Sequence, residues 1–83
     1  MKTSSAYKSY LEHQLIIAVF GELPTEIPFC PWGRLQRLDG RTVAMVMQHL
    51  AGDDFTQIGY EWDLTRERCR QIFARAMTEL RKP

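Results

Sequence analysis

The chain has 83 residues and a formal net charge of +1, with 45% of its residues hydrophobic and 25% charged. That length makes one small domain (1–83), able to bury about 60% of its unfolded surface, and the composition argues against extended disorder. No histidine-centred constellation and no glycine-rich phosphate cradle is present, which argues against an enzyme. Cys30, Cys69, His13 and His49 lie at scattered positions, so the sequence predicts neither a disulfide scaffold nor a metal site, and no cofactor. Met1 to Tyr10 is polar and Leu15 to Phe20 is too short for a signal-peptide core or a membrane span. The expectation is a cytoplasmic protein in a reducing compartment.

The first element, residues 1–22, is expected to be a helix capped by Ser4 or Ser5 and ending near Phe20 or Glu22. Tyr7, Leu11, Leu15, Ala18 and Val19 fall on one face. Ile16, Ile17 and Phe20 widen that face until almost the whole circumference is apolar. The run LIIAVF is also β-branched enough for a buried strand, but no second strand signal offers it a partner. A helix so apolar must be covered, either by the rest of the domain or by a second copy in a homodimer; the intramolecular core is the more frequent outcome.

Residues 23–38 read as a proline-rich apolar loop. Pro24, Pro28 and Pro31 each remove a backbone donor and turn the preceding residue away from helix. Ile27, Phe29 and Trp32 make it a loop that packs down on the domain, and Leu35 and Leu38 fit a short turn. Asp39 then offers an N-cap for a helix whose stripe is Val43, Val46, Met47 and Leu50, ending at Gly52. Met45 and Met47 read as gap-filling core residues. Asp53 and Asp54 have no third ligand and no neighbouring histidine, so they read as a solvated turn.

Phe55 to Arg81 organises the rest. Ile58 and Trp62 share one face of a short helix, and Gly59 between them marks a close approach of two helices. Asp63 falls at a sharp turn, where Asp tolerates a left-handed backbone. Leu64 is an apolar plug and Thr65 a good N-cap for a second helix. On that helix Cys69, Ile72, Ala76 and Leu80 form a buried stripe, expected to share one core with Ile58, Trp62 and Leu64. Arg66, Glu67, Arg70 and Gln71 lie on the other side. Charge is divided sharply: Asp53 to Leu64 carries four acids and no base, and Thr65 to Pro83 carries six bases against Glu67 and Glu79. The fold expected is all-α, four to five helices containing a helix-turn-helix whose second helix can enter a DNA major groove.

The run Leu64-Thr65-Arg66-Glu67-Arg68-Cys69-Arg70-Gln71-Ile72, continuing through Ala74, Ala76, Leu80, Arg81 and Pro83, resembles the end of region 4 of housekeeping-type bacterial sigma factors. The resemblance extends less tightly through Phe55-Thr56-Gln57-Ile58-Gly59 and loosely over the Asp39 to Leu50 helix, so residues 39–83 form the region 4-like part. It implies a module that binds a −35-like element of double-stranded DNA and docks on the β subunit of RNA polymerase. The family's contacting positions carry over to Arg66, Glu67, Arg70 and Gln71. Arg can bond guanine O6 and N7 together, Glu can accept from cytosine N4, and Gln can read adenine. Arg68, Arg75, Arg81 and Lys82 are placed for phosphates or solvent. The candidate DNA-binding set is Thr65, Arg66, Glu67, Arg68, Arg70, Gln71 and Arg75. Phe73 stands where the family usually has an acid, and is expected near the surface beside Gln71 and Arg70, either packed under the N-terminal segment or obstructing DNA.

Nothing in the chain corresponds to the family's −10-reading region, so the resemblance implies a transcription regulator built on this module rather than a complete sigma factor. The alternative is a protein-binding module that docks on polymerase or a sigma partner, as in a phage or accessory regulator.

Overall fold

The computed structural model describes the backbone of residues 2–21 and 28–83, and the side chains of 10–21 and 28–83. The described residues form helices α1 (Lys2–Phe20), α2 (Gly40–Leu50), α3 (Phe55–Trp62) and α4 (Arg66–Arg81), with a 3-10 helix, η1 (Pro31–Arg37), and no strand. The fold is all-α. Among the described residues, no helix is long and apolar enough to cross a membrane.

Helix α1 begins at Lys2, ahead of Ser4 and Ser5, so neither serine caps it. Leu11, Leu15 and Val19, each four residues from the next, are buried, and Ile16, Ile17, Ala18 and Phe20 are half-buried. The buried face of α1 packs against α2, α4 and η1, with Ala18 and Phe20 at its margin. Of the two expected ends of this helix, Phe20 is observed and Glu22, together with Pro24 and Ile27, lies outside the described residues, as does the side chain of Tyr7.

The expected loop 23–38 is corrected over its second half. Pro31 opens η1, where its missing N–H costs no hydrogen bond. Trp32, Leu35 and Leu38 then rest on the main core. The reason this short helix persists lies at the far end of the chain. Arg34 donates to the carbonyls of Leu80 and Lys82 at 3.1 and 2.6 Å, and Arg37 to those of Glu79 and Lys82 at 3.2 and 2.8 Å. Arg81 Nε donates to the Val19 carbonyl at 2.6 Å. The last turn of a helix leaves carbonyls without partners, and cations are favoured there, so η1 and α4 stabilise one another. Arg34 also lies 3.5 Å from the centre of the Phe29 ring, which packs on Phe20.

Helix α2 starts as expected: Asp39 is extended (φ −74°, ψ 166°) and its carboxylate accepts from the Thr42 amide at 2.7 Å. Two clusters replace the single core expected for α4. Val46, Leu50, Ala76, Met77 and Leu80 meet α1 in one. Met45, Ile58, Cys69 and Ile72 form the other, with Phe55, Trp62 and Leu64 at its margin. Length is the cause. At 1.5 Å per residue, α4 runs about 24 Å and the eight-residue α3 about 12 Å, so α3 covers only the first half of α4 and α1 covers the second.

Candidate nucleic-acid interface

Local chemistry fixes how α4 is presented. Asp54, expected in a solvated turn, is instead the N-cap of α3: its carboxylate accepts from the Gln57 amide at 2.8 Å, and the Gln57 side chain accepts from the Asp54 amide at 3.3 Å. Its neighbour Asp53 is half-buried, and its carbonyl meets His49 Nδ1 at 3.0 Å. Helix α3 ends where Asp63 turns left-handed (φ 57°, ψ 46°). Leu64 N–H donates to the Gly59 carbonyl at 2.8 Å, closing the turn. Thr65 Oγ1 then accepts from the Arg68 amide at 3.0 Å and starts α4. Trp62 ties the unit to α2 by donating from Nε1 to Gln48 Oε1 at 2.7 Å.

All seven residues of the candidate set, Thr65, Arg66, Glu67, Arg68, Arg70, Gln71 and Arg75, are exposed. Arg68, Arg70, Gln71 and Arg75 border one shallow groove together with Ala74. Thr65 is committed to its cap. Glu67 and Arg70 are paired through two contacts, one of them Arg70 Nε to Glu67 Oε1 at 3.0 Å. The bonds from Arg70 hold the Glu67 carboxyl below its usual range, so both groups stay charged at neutral pH.

The cations divide by occupation. Arg34, Arg37 and Arg81 are bound to backbone carbonyls, Arg70 to Glu67, and Lys82 to Glu79 at 3.4 Å. Arg81, expected to face phosphates or solvent, is therefore structural. Among the described residues, Arg41, Arg66, Arg68 and Arg75 have no hydrogen-bonding or ion-pair partner. Arg41 escaped the sequence reading. The available signal was its place in the first turn of α2, where the helix dipole disfavours a cation and the Asp39 carboxylate is the local charge that offsets it.

Phe73 is half-buried and packs against the cluster that holds Leu11, Leu15 and Val19 of α1, in keeping with the expected packing under the N-terminal segment. Its ring sits 4.7 Å from His49, edge-on, and 5.7 Å from Phe55, and His49 stacks on Phe55 at 4.1 Å. Phe73 follows Cys69 by four residues and precedes Met77 by four, both buried, and this spacing accounts for its partial burial.

Comparison of the chain with protein-family models, curated proteins and solved structures returns no significant match.

Proposed function

We propose that α3 and α4 form a DNA-binding helix-turn-helix and that the protein is a cytoplasmic transcription regulator binding double-stranded DNA through α4. The observation that carries this reading is the exposed, cation-rich face of α4, held out by a closed turn and a capped N-terminus, with Arg66, Arg68 and Arg75 making no hydrogen bond or ion pair among the described residues. Its resemblance to the −35-reading part of sigma region 4 supports the same ligand. In this reading Arg66, Glu67, Arg70 and Gln71 reach base edges or adjacent phosphates, and Arg68 and Arg75 take phosphates.

The test is a fluorescence-anisotropy titration against a duplex carrying a −35-like element and against a scrambled duplex, at two salt concentrations. With about four phosphate contacts, log K is expected to fall against log salt with a slope near −3 to −4. Arg70→Ala is expected to weaken the preferred duplex about tenfold or more and to relax the choice of one base pair.

One observation favours a protein partner instead. Tyr60 on α3 is 90% exposed, and large exposed aromatics are characteristic anchors of protein interfaces. Absence of duplex binding at low salt would move the assignment to docking on RNA polymerase or a sigma partner.

A further inference from the structure

We infer that the groove between α2 and α4 seats the phosphate backbone of one DNA strand, with Arg41, Arg68 and Arg75 as its ligands. This rests on the proposed DNA-binding reading and extends it to a second helix.

The groove is open to solvent, encloses about 310 Å³ and is floored by Leu38, Ile72 and Ala76. Arginines from two helices border it: Arg41 from α2, Arg68 and Arg75 from α4. Two acids also line it, Asp39, whose carboxylate lies in the field of Arg41, and Glu79. Asp39 accepts from the Thr42 amide at 2.7 Å, and Glu79 pairs with Lys82. Arg37, which closes one side, is anchored to the carbonyls of Glu79 and Lys82. The three remaining guanidiniums have no hydrogen-bond or ion-pair partner among the described residues, and with Arg37 they outnumber the two acids, so the groove carries net positive charge.

That charge stands where the protein alone disfavours it. Arg41 lies in the first turn of α2 and Arg68 in the first turn of α4, next to the positive ends of both helix dipoles. A bound anion offsets this cost, because the guanidiniums then face a negative group beside the positive ends of the two helices. Arg68 and Arg75 border both this groove and the one beside Arg70 and Gln71, so a strand lying here runs alongside the proposed base-reading face. Phosphodiester contacts of this kind add affinity and register but carry no base preference.

The experiment uses the full chain with Arg41→Gln, and Arg75→Gln as a second variant, each checked for an unchanged thermal melt. The probes are the −35-like and scrambled duplexes, then the same duplexes with single neutral methylphosphonates in place of phosphates. Arg41→Gln is expected to weaken both duplexes by one common factor, about eightfold at 0.1 M salt, and to flatten the salt slope by about 0.9. A methylphosphonate at the seated position is expected to weaken the unsubstituted protein by the same factor and to add nothing in Arg41→Gln. Arg75→Gln should repeat the uniform loss, and it decides the matter if Arg41→Gln fails to fold. Unchanged affinity and slope in the folded variants, with Arg70→Ala still weakening binding, would overturn the groove while leaving DNA binding by α4 intact. Failure of the unsubstituted protein to bind any duplex at low salt would overturn both.

Discussion

The carbonyl oxygen of Leu64 occupies the space that a β-carbon on Gly59 would need, and the Leu64 amide donates back to the Gly59 carbonyl at 2.8 Å. A side-chain carbon added to Gly59 would collide with that oxygen and come within 3.4 Å of Cys69 Sγ. The obstacle is backbone, not the yielding tip of a side chain. Gly59→Ala should therefore destabilise the protein by about 1–3 kcal/mol through overpacking, even though Ala gains about 1 kcal/mol over Gly in helix propensity. Urea denaturation would decide it, and a variant as stable as the parent would show that the turn gives way freely.

The same turn depends on Asp63, whose backbone is left-handed at φ 57°. Only Gly adopts that region without strain, and Asp tolerates it better than most. Asp63→Gly should be neutral or slightly stabilising, whereas Asp63→Val should cost about 1–2 kcal/mol or more. Equal melting temperatures for the two variants would contradict the assignment of strain to this residue.

Where the chain obeys local chemistry, its structure was legible from sequence. Asp39 and Thr65 each accept from a backbone amide three residues away, Asp63 acts through its own left-handed backbone, and each occupies its expected role. Asp54 shows that even local chemistry needs the right pairing: its capping partner Gln57 was in view, but Asp53 beside it drew the two acids together. The arginines could not be read in this way. Arg34 and Arg37 reach carbonyls 42 to 48 residues away, and Arg81 reaches one 62 residues away. No spacing rule distinguishes a cation bound to such a carbonyl from one left free, so the division of basic residues into structural and available ones emerges only from the fold.

The two cysteines are both free and differ in setting: Cys30 is exposed, and Cys69 is buried beneath α3. Burial pushes the Cys69 thiol up and keeps it protonated, which suppresses nucleophilic reaction. A thiol reagent at pH 8 is expected to modify one cysteine quickly in the folded protein, mapping to Cys30 by mass spectrometry, and both in denaturant. Rapid labelling of Cys69 without denaturant would mean that α3 and α4 are not closed over it.

Acid should loosen the helix starts. The Asp39 carboxyl is held below its usual range first by the Thr42 amide bond, and Glu67 first by its bonds from Arg70. Each is lower in the folded state than in the unfolded chain, whose values are about 3.9 and 4.3. Their contribution to stability is thus present above about pH 4 and is lost as pH falls through the folded values. Asp39→Asn retains a good cap but cannot titrate, so it should show a flatter loss of stability below about pH 4 than the parent. Parallel acid profiles for the two proteins would remove Asp39 from the account.

Phe73 offers a way to separate folding from binding. Its ring closes an aromatic cluster with His49 and Phe55, which joins the end of α2 and the start of α3 to the middle of α4. Replacement by the acid that the sigma-like pattern would supply, Phe73→Glu, sets a carboxylate among these rings. Phe73 is half-buried, so the cost should be about 2 kcal/mol, below the 3–5 kcal/mol of a fully buried aromatic truncation. Arg70→Ala removes an exposed group and should leave the denaturation midpoint nearly unchanged while weakening the preferred duplex. The two variants are thus expected to fail in opposite assays: Phe73→Glu in urea, with DNA affinity retained at temperatures where it remains folded, and Arg70→Ala in DNA titration. If Phe73→Glu kept the parental midpoint and instead altered binding, Phe73 would belong to the recognition surface, and the aromatic cluster would not be what locks α4 in place.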